Sequence, residues 1–244
     1  KVFGTIRNNL YLGYFSKNIR DKLILNIDLN NFNKIEKIIL KINPDLLINC
    51  VGLIKQKNTL RKSIDSIYLN ALLPHKLAAL SDKYNTRLIH FSTDCVFQGS
   101  KGMYRETDIP DAVDIYGRTK FLGELGYPNT LTLRTSIIGH ELNSCLSLID
   151  WFLSQKEIIK GYDKAIFSGL PTVEIGRVIK DFIVPFKNLS GLYHLSSDPI
   201  SKYELLSLVS KIYNKDILIE KNNDFIVDKS LCSSKFREET NFIP

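Results

Sequence analysis

The chain has 244 residues, 44% of them hydrophobic and 24% charged, with a formal charge of +7. This composition can bury a core and excludes a disordered chain; with no apolar run of about 18 residues, no membrane-spanning helix is expected. Lys and Arg are interleaved with Asp and Glu, as in Asn33–Lys41, so no nucleic-acid partner is expected, and the charge leaves open a basic pocket for an anionic nucleotide.

Apolar runs of strand length alternate with helical periodicity. KVFGTI and LILNID read as strands, the second ending at Asp28. NFNKIEKIILKI has helical spacing and stops at Asn43-Pro44. LLINCV is continuous enough for a strand buried on both faces. DSIYLNALLPHKLAALSDKY predicts a long helix kinked at Pro74. RLIHFST is the next buried strand, followed by a loop from Gly99 to Asp114, a helix carrying Tyr116 and Lys120, and the strand TLTLRTS. Beyond it, SCLSLIDWFLSQ, VEIGRVIKDFIVPF and KYELLSLVSKIY predict helices, and AIFSG, GLYHLS and DILIE predict strands.

That alternation predicts an α/β fold, a Rossmann-like doubly wound parallel sheet with a smaller α/β substrate-binding lobe. The larger, dinucleotide-binding lobe is expected over 1–136 with a return segment at about 168–195, and the smaller over 137–167 and 196–244. The four cysteines, Cys50, Cys95, Cys145 and Cys232, lie far apart without zinc spacing. They read as reduced, mostly buried thiols of a cytoplasmic protein, and no metal site is expected.

In an open parallel sheet ligands bind at the carboxyl ends of the strands. Those ends carry Arg7, Asp28, Cys50-Val51-Gly52, Ser92-Thr93-Asp94 and Arg134-Thr135-Ser136. Tyr116 and Lys120 are four residues apart, on one face of a helix. A lysine ammonium there would favour the tyrosinate and lower the phenol from about 10. A hydroxyl from Ser92 or Thr93 could bond a carbonyl oxygen as it becomes an alkoxide. The set suits carbonyl–alcohol interconversion with hydride from a nicotinamide.

NCVG, STDCVF and YGRTK resemble the extended short-chain dehydrogenase/reductase family, and within it the dTDP-4-dehydrorhamnose reductases. HFSTDCVFQGSKGMYRETDIPDAVDIYGRTKFLGE is the most specific stretch, and TLRTS, SGLPTVE and GLYHLSSDPISKYELL resemble later blocks. The resemblance implies NADPH-dependent reduction of the 4-keto group of a nucleotide-linked 4-keto-6-deoxy sugar, for surface polysaccharide precursors such as dTDP-rhamnose. It implies that Thr93 binds the substrate oxygen, Tyr116 donates the proton, and Lys120 tunes it and holds the nicotinamide ribose. Asp28 and Leu29 would lie near the adenine, with Cys50, Val51 and Gly52 along the dinucleotide and Asn70, Ser92 and Thr135 on the cofactor side. Asp94, Cys95, Ile137, Lys55 and His140 would face the substrate, Lys55 meeting a phosphate. Arg7 reads as a surface arginine or as the partner of an NADP 2′-phosphate; NADH stays possible. His90, His75, His194 and Trp151 read as structural.

Three departures stand out. No G-x-x-G-x-x-G occurs, and an upstream strand–helix unit of roughly thirty residues carrying it is expected. Ile137 replaces the usual tryptophan of R-T-S-W. Cys95 stands where the sugar 4,6-dehydratases of the superfamily carry a glutamate, which favours plain reduction. The rival readings are an epimerase or dehydratase of the superfamily, and a non-catalytic binding subunit on the same fold. A homodimer is compatible with all of them.

Overall fold

The structure is a computed structural model that describes residues 1–54, 60–142, 145 and 147–244. Strands β1 (Gly4–Thr5) and β2 (Leu23–Ile24) pair in parallel, with the short helix α1 (Lys17–Arg20) between them. Helix α2 (Phe32–Ile42) starts where the Asn31 side chain accepts the Lys34 N–H at 3.2 Å. It ends at Asn43, whose φ of 46° places it in the left-handed region just before Pro44. Strand β3 (Leu46–Asn49) follows.

The predicted long helix is present as α3 (Leu60–Ser66), a π-helical turn (Ile67–Leu72) and α4 (Leu73–Lys83). Pro74 has no N–H to give the ladder, and the widened turn just before it absorbs the defect, with the Leu73 N–H reaching back to Tyr68 O. The widened turn carries Asn70 into the interior. Then come β4 (Arg87–Thr93), a 3₁₀ turn over Asp94–Val96, the irregular stretch to Asp114, α5 (Ile115–Leu122) and β5 (Thr130–Thr135).

After β5 the elements are short: β6 (Ile137–Ile138), α6 (Leu148–Ser154), β7 (Ile159–Tyr162), β8 (Ala165–Phe167), β9 (Leu170–Pro171) and α7 (Thr172–Val178), extended by a π turn to Ile183. β10 (Gly191–His194), β11 (Ile200–Ser201), α8 (Lys202–Ile212), β12 (Ile219–Asn222), β13 (Val227–Asp228) and α9 (Ser234–Thr240) complete the chain.

The central sheet is β10-β5-β4-β3, parallel throughout. Successive residues of β4 point to opposite faces, and two cores record it. Leu88 packs with Ile35, Ile39, Leu73 and Leu77 of α2 and α4. Ile89 packs with Leu131, Val178 and Phe236, beside α7 and α9. Helices on both faces explain why every residue of β5 is buried. This is the Rossmann-like doubly wound arrangement expected from the alternation. A third core joins Ile149, Phe152, Phe167 and Leu205 under the pairs β12-β7 and β6-β9 and the three-stranded sheet β11-β8-β13.

Several details differ from the sequence reading. β2 stops at Ile24 rather than Asp28, because Asn26 takes a φ of 57° and turns the strand. No ladder among the described residues joins β1 and β2 to β3. α6 begins at Leu148 because the Ser147 hydroxyl caps it, accepting the Asp150 N–H at 3.2 Å. Trp151, read as core, is 37% exposed, since Ile149 and Phe152 hold the buried face of that helix. The thiols, read as mostly buried, are exposed at Cys50 and Cys145 and partly so at Cys95 and Cys232; all are free.

Candidate active site

The site grows from the ends of β3, β4 and β5. Thr93 closes β4 and caps the 3₁₀ turn, its Oγ1 accepting the Cys95 N–H at 3.1 Å. The same hydroxyl donates to Asp94 Oδ1 at 3.0 Å. Asp114 caps α5 by accepting the Gly117 N–H at 2.9 Å. Gly117 lets the first turn of α5 lie against the Thr93–Cys95 turn. A Cβ there would stand 2.3 Å from Cys95 O and 2.5 Å from Ala112 Cβ. The result is that the first turn of α5, which carries Tyr116, packs on the Thr93–Cys95 turn.

Burial pushes the Tyr116 phenol up to about 12; Cys95, Asp94 and Asp114 add to the push and the Thr93 hydrogen bond opposes it. The expected lowering by Lys120 is therefore overturned. Lys120 turns to the strand ends, donating to Phe91 O at 2.6 Å. Burial pulls its ammonium down to about 8, against the pull of Glu124 and Cys50. A neutral phenol at pH 7 is a proton donor that keeps its proton until an oxyanion forms beside it.

Lys120 Nζ looks onto the end of β3: a Cβ on Gly52 would lie 3.7 Å from it and 3.3 Å from Asn70 Oδ1. Asn70, expected to face the cofactor, is fully buried and spent on protein. Its Oδ1 accepts the Leu53 N–H at 2.7 Å, and its Nδ2 donates to Leu53 O at 3.0 Å and Thr119 Oγ1 at 3.2 Å. It ties the loop after β3 to α5. Cys50 and Gly52 are exposed along that loop, and Val51 is partly buried with its N–H on Asn49 Oδ1.

Ser92, expected on the cofactor side, has its hydroxyl taken by protein. It points to the other face of β4, and its Oγ donates to Glu124 Oε1 at 2.7 Å. Glu124 also takes Arg134 Nε at 2.8 Å and Nη2 at 2.7 Å. Arg134 reaches His194 at 3.3 Å and lies over the Phe97 ring. His194 also has Nδ1 2.9 Å from Tyr104 O, and burial pulls it down to about 3. His90 and His75 are likewise held by protein groups, Asn49 Nδ2 and Leu122 O. Thr135 is buried beside Thr93 in the β4–β5 register.

Arg7 and Asp28 lie just past the ends of β1 and β2 and are both exposed. Asp28 Oδ1 accepts Asn30 N and Nδ2, each at 3.0 Å, and the turn opens a cleft of about 470 Å³ lined by Asp28, Asn30, Asn31, Phe32 and Asn33. Leu29 is partly buried against α2 and α4, its carbonyl accepting the Tyr68 hydroxyl. An open Gly52, a lysine with N–H donors to spare and this cleft fit an extended dinucleotide along the strand ends.

On the substrate side Cys95 is half-buried beside Tyr116, and burial with Asp94 drives its thiol up to about 11. Asp94 is buried rather than lining an open pocket, because the 3₁₀ turn folds it inward. Ile137 is 56% exposed at the start of β6. His140 is not free to meet a ligand: Nδ1 is 2.6 Å from Asp150 Oδ1 and Nε2 is 2.7 Å from the Tyr213 hydroxyl. Lys55 lies outside the described residues. Sequence reasoning missed Glu124, four residues beyond Lys120, which the i, i+4 spacing could have flagged. It also missed Lys202 and Lys229, which approach Asp94 from far along the chain and carry no local signal.

A doubly wound parallel sheet with threonine, tyrosine and lysine gathered at its strand ends defines the protein as a Rossmann-like chain of the extended short-chain dehydrogenase/reductase type. Residues 8–220 match the RmlD substrate binding domain, and the chain belongs to that family. It is 31% identical over 117 residues to a probable low-salt glycan biosynthesis reductase of Haloferax volcanii, covering 46% of this chain and 39% of the relative. It is 24% identical over 210 residues to methionine adenosyltransferase 2 subunit beta of Bos taurus, covering 77% of this chain and 60% of the relative. The chain thus spans less than two thirds of either curated relative. Among solved structures it resembles the Bacillus anthracis dTDP-4-dehydrorhamnose reductase in complex with NADP, with a TM-score of 0.79, 20% identity, and coverage of 99% of this chain and 92% of that one.

Proposed function

We propose that the protein reduces the 4-keto group of a nucleotide-linked 4-keto-6-deoxy sugar with NADPH, in the cytoplasm, on the way to surface polysaccharide. The seating of the first turn of α5, with Tyr116, on the Thr93–Cys95 turn at the end of β4 carries this reading. A ketone oxygen brought between the two would meet both hydroxyls, and Tyr116 would pass its proton to that oxygen as the carbonyl carbon is reduced. A bound nicotinamide supplies the hydride, so ketone, hydride and proton balance as a secondary alcohol. Lys120, with N–H donors beyond the one on Phe91 O, would hold the ribose beside Gly52. The exposed Arg7 past β1 supports NADPH over NADH.

The sugar nucleotide would lie between two lobes, 1–136 with 168–195 and 137–167 with 196–244. The separate core of Ile149, Phe152, Phe167 and Leu205 supports that division. A homodimer would cover the exposed Ile64, Ile67 and Leu72 before α4 together with Phe121 and Leu122 of α5, and light scattering reads it directly.

The test is NADPH oxidation by the full chain with a dTDP-linked 4-keto-6-deoxy sugar. Stoichiometric oxidation with formation of the 4-hydroxy sugar is expected; none refutes the reading. Turnover of a nucleotide sugar without net oxidation would mark an epimerase or dehydratase. The likeness to a protein named as a subunit favours a second reading, a binding subunit. Nucleotide binding with no turnover of any sugar nucleotide would select it.

A further inference from the structure

We propose that His194 is a positioning residue: as a single neutral tautomer it docks the loop from Phe97 to Glu106 on the end of β10, and so holds the Thr93–Cys95 turn on which α5 and Tyr116 are seated. This deepens the reductase reading; the kinetic consequence rests on that reading and the geometry does not.

A neutral imidazole has one N–H and one lone pair on its two nitrogens. His194 Nδ1 lies 2.9 Å from Tyr104 O, and a carbonyl can only accept, so Nδ1 carries the proton. Nε2 lies 3.3 Å from Arg134 Nη1, and a guanidinium can only donate, so Nε2 keeps its lone pair. Arg134 is not free to turn away, because Glu124 holds its Nε at 2.8 Å and its Nη2 at 2.7 Å. A second proton on the ring would point one N–H at another. The charged groups facing the ring are Arg134 from β5 and Asp108 from the loop. Glu106 meets the backbone instead, its Oε1 accepting the His194 N–H at 2.8 Å. One residue at the end of β10 thus grips the loop at Tyr104 and Glu106 and the interior at Arg134.

The grip reaches the candidate site through Phe97. Its ring is fully buried and stacks on Tyr104 with centroids 4.0 Å apart. It meets the His194 ring edge-on at 6.1 Å, and the Arg134 guanidinium lies 5.1 Å from its centre. Phe97 N donates to Asp94 O at 3.0 Å and closes the 3₁₀ turn that Thr93 caps. Val96 O accepts Asp111 N at 3.1 Å and Ala112 N at 3.0 Å, so the same turn fixes the approach to α5. The C-terminal segment holds Tyr104 from its other side: Tyr104 N donates to Ser230 O at 2.9 Å, and Tyr104 O accepts Cys232 N at 2.8 Å. Contacts therefore run without a gap from the His194 ring to the turn beneath Tyr116.

Long-range nitrogen–proton correlation spectra of the isotope-labelled full chain test the tautomer. They are expected to show the Nδ1–H pattern for His194, assigned by its absence in His194→Asn, with no titration between about pH 5 and 8. The Nε2–H pattern, or a midpoint inside that range, overturns the proposal. Hydrogen exchange and steady-state kinetics then compare His194→Asn, whose amide N–H can stand for Nδ1 on Tyr104 O, with His194→Phe, which fills the space and makes neither bond. His194→Phe is expected to lose about tenfold or more of the protection at the Phe97, Asp111 and Ala112 amides, while Ile89 and Leu131 inside the sheet keep theirs. Its kcat should fall about tenfold or more with the KM for NADPH within about twofold, and His194→Asn should stay within about threefold of the parent on every measure. Protection lost evenly across the sheet marks a role in global stability alone and overturns the proposal, as do equal losses in Phe and Asn or a loss confined to KM. If His194→Phe does not fold, His194→Gln, whose amide reaches only Arg134, takes its place. A parent chain that oxidises no NADPH sinks the reductase reading alone, since the ring spectrum and the exchange still decide the role of His194.

Discussion

Substitution of Glu124 by glutamine strikes the most deeply buried ion pair among the described residues. The side chains of Arg134 and Glu124 are 2% and 9% exposed, and Glu124 holds the guanidinium at two points, 2.8 and 2.7 Å, while also accepting from Ser92. An amide of the same shape keeps the volume but turns one N–H₂ toward Arg134 or Ser92. The guanidinium is left with His194 at 3.3 Å, itself held neutral, and the face of Phe97. Breaking a buried pair from one side costs about 3–5 kcal/mol. Against a total of about 5–15 kcal/mol that is a large share. With a urea m-value of about 2–3 kcal/mol/M the denaturation midpoint should fall by about 1–2.5 M. Urea denaturation followed by circular dichroism measures it, and a loss below about 1 kcal/mol would refute the reasoning. The same change removes the largest influence that keeps the Lys120 ammonium protonated. Lys120 is cationic below about 8 and loses its charge as pH rises through that value, so the rise of cofactor KM with pH should begin lower in Glu124→Gln than in the parent.

Tyr116→Phe deletes the proton donor alone: the fold should persist and kcat/KM with the keto sugar should drop about 10²- to 10⁴-fold, so parent-like turnover would reject Tyr116 as the acid. Arg7→Ala should reduce the preference for NADPH over NADH without touching kcat; an unchanged ratio in cofactor titrations counts against Arg7 as the phosphate reader. Gly117→Ala places a Cβ 2.3 Å from Cys95 O, and overpacking of this kind costs about 1–3 kcal/mol. Its kcat should fall with its melting temperature, since relief of the clash moves Tyr116 from Thr93; a variant as stable and active as the parent would show that the helix is not seated as described.

The Tyr116–Lys120 spacing, the Thr93 position and the alternation of apolar runs were legible because each is local. Periods of two and of 3.6 residues decide which face a side chain takes, and β4 shows it: Leu88 and Ile89 went to the two cores that the continuous run demanded. The same alternation could have separated Ser92 from Thr93, since adjacent strand residues point to opposite faces of the sheet. Asn70 was placed on the right helix, but the widened turn before Pro74 gave all its hydrogen-bonding atoms to Leu53 and Thr119.

From the residues alone came the fold class and the proposal of a site at the strand ends with Thr93, Tyr116 and Lys120. Those follow from periodicity and helical spacing, which act between near neighbours. Only the tertiary structure decided the protonation states. Burial raised the phenol that an adjacent ammonium was expected to lower, and Lys202 and Lys229 reached Asp94 across more than a hundred residues. Desolvation and charge depend on what is packed around a group, and a linear sequence does not say what that will be.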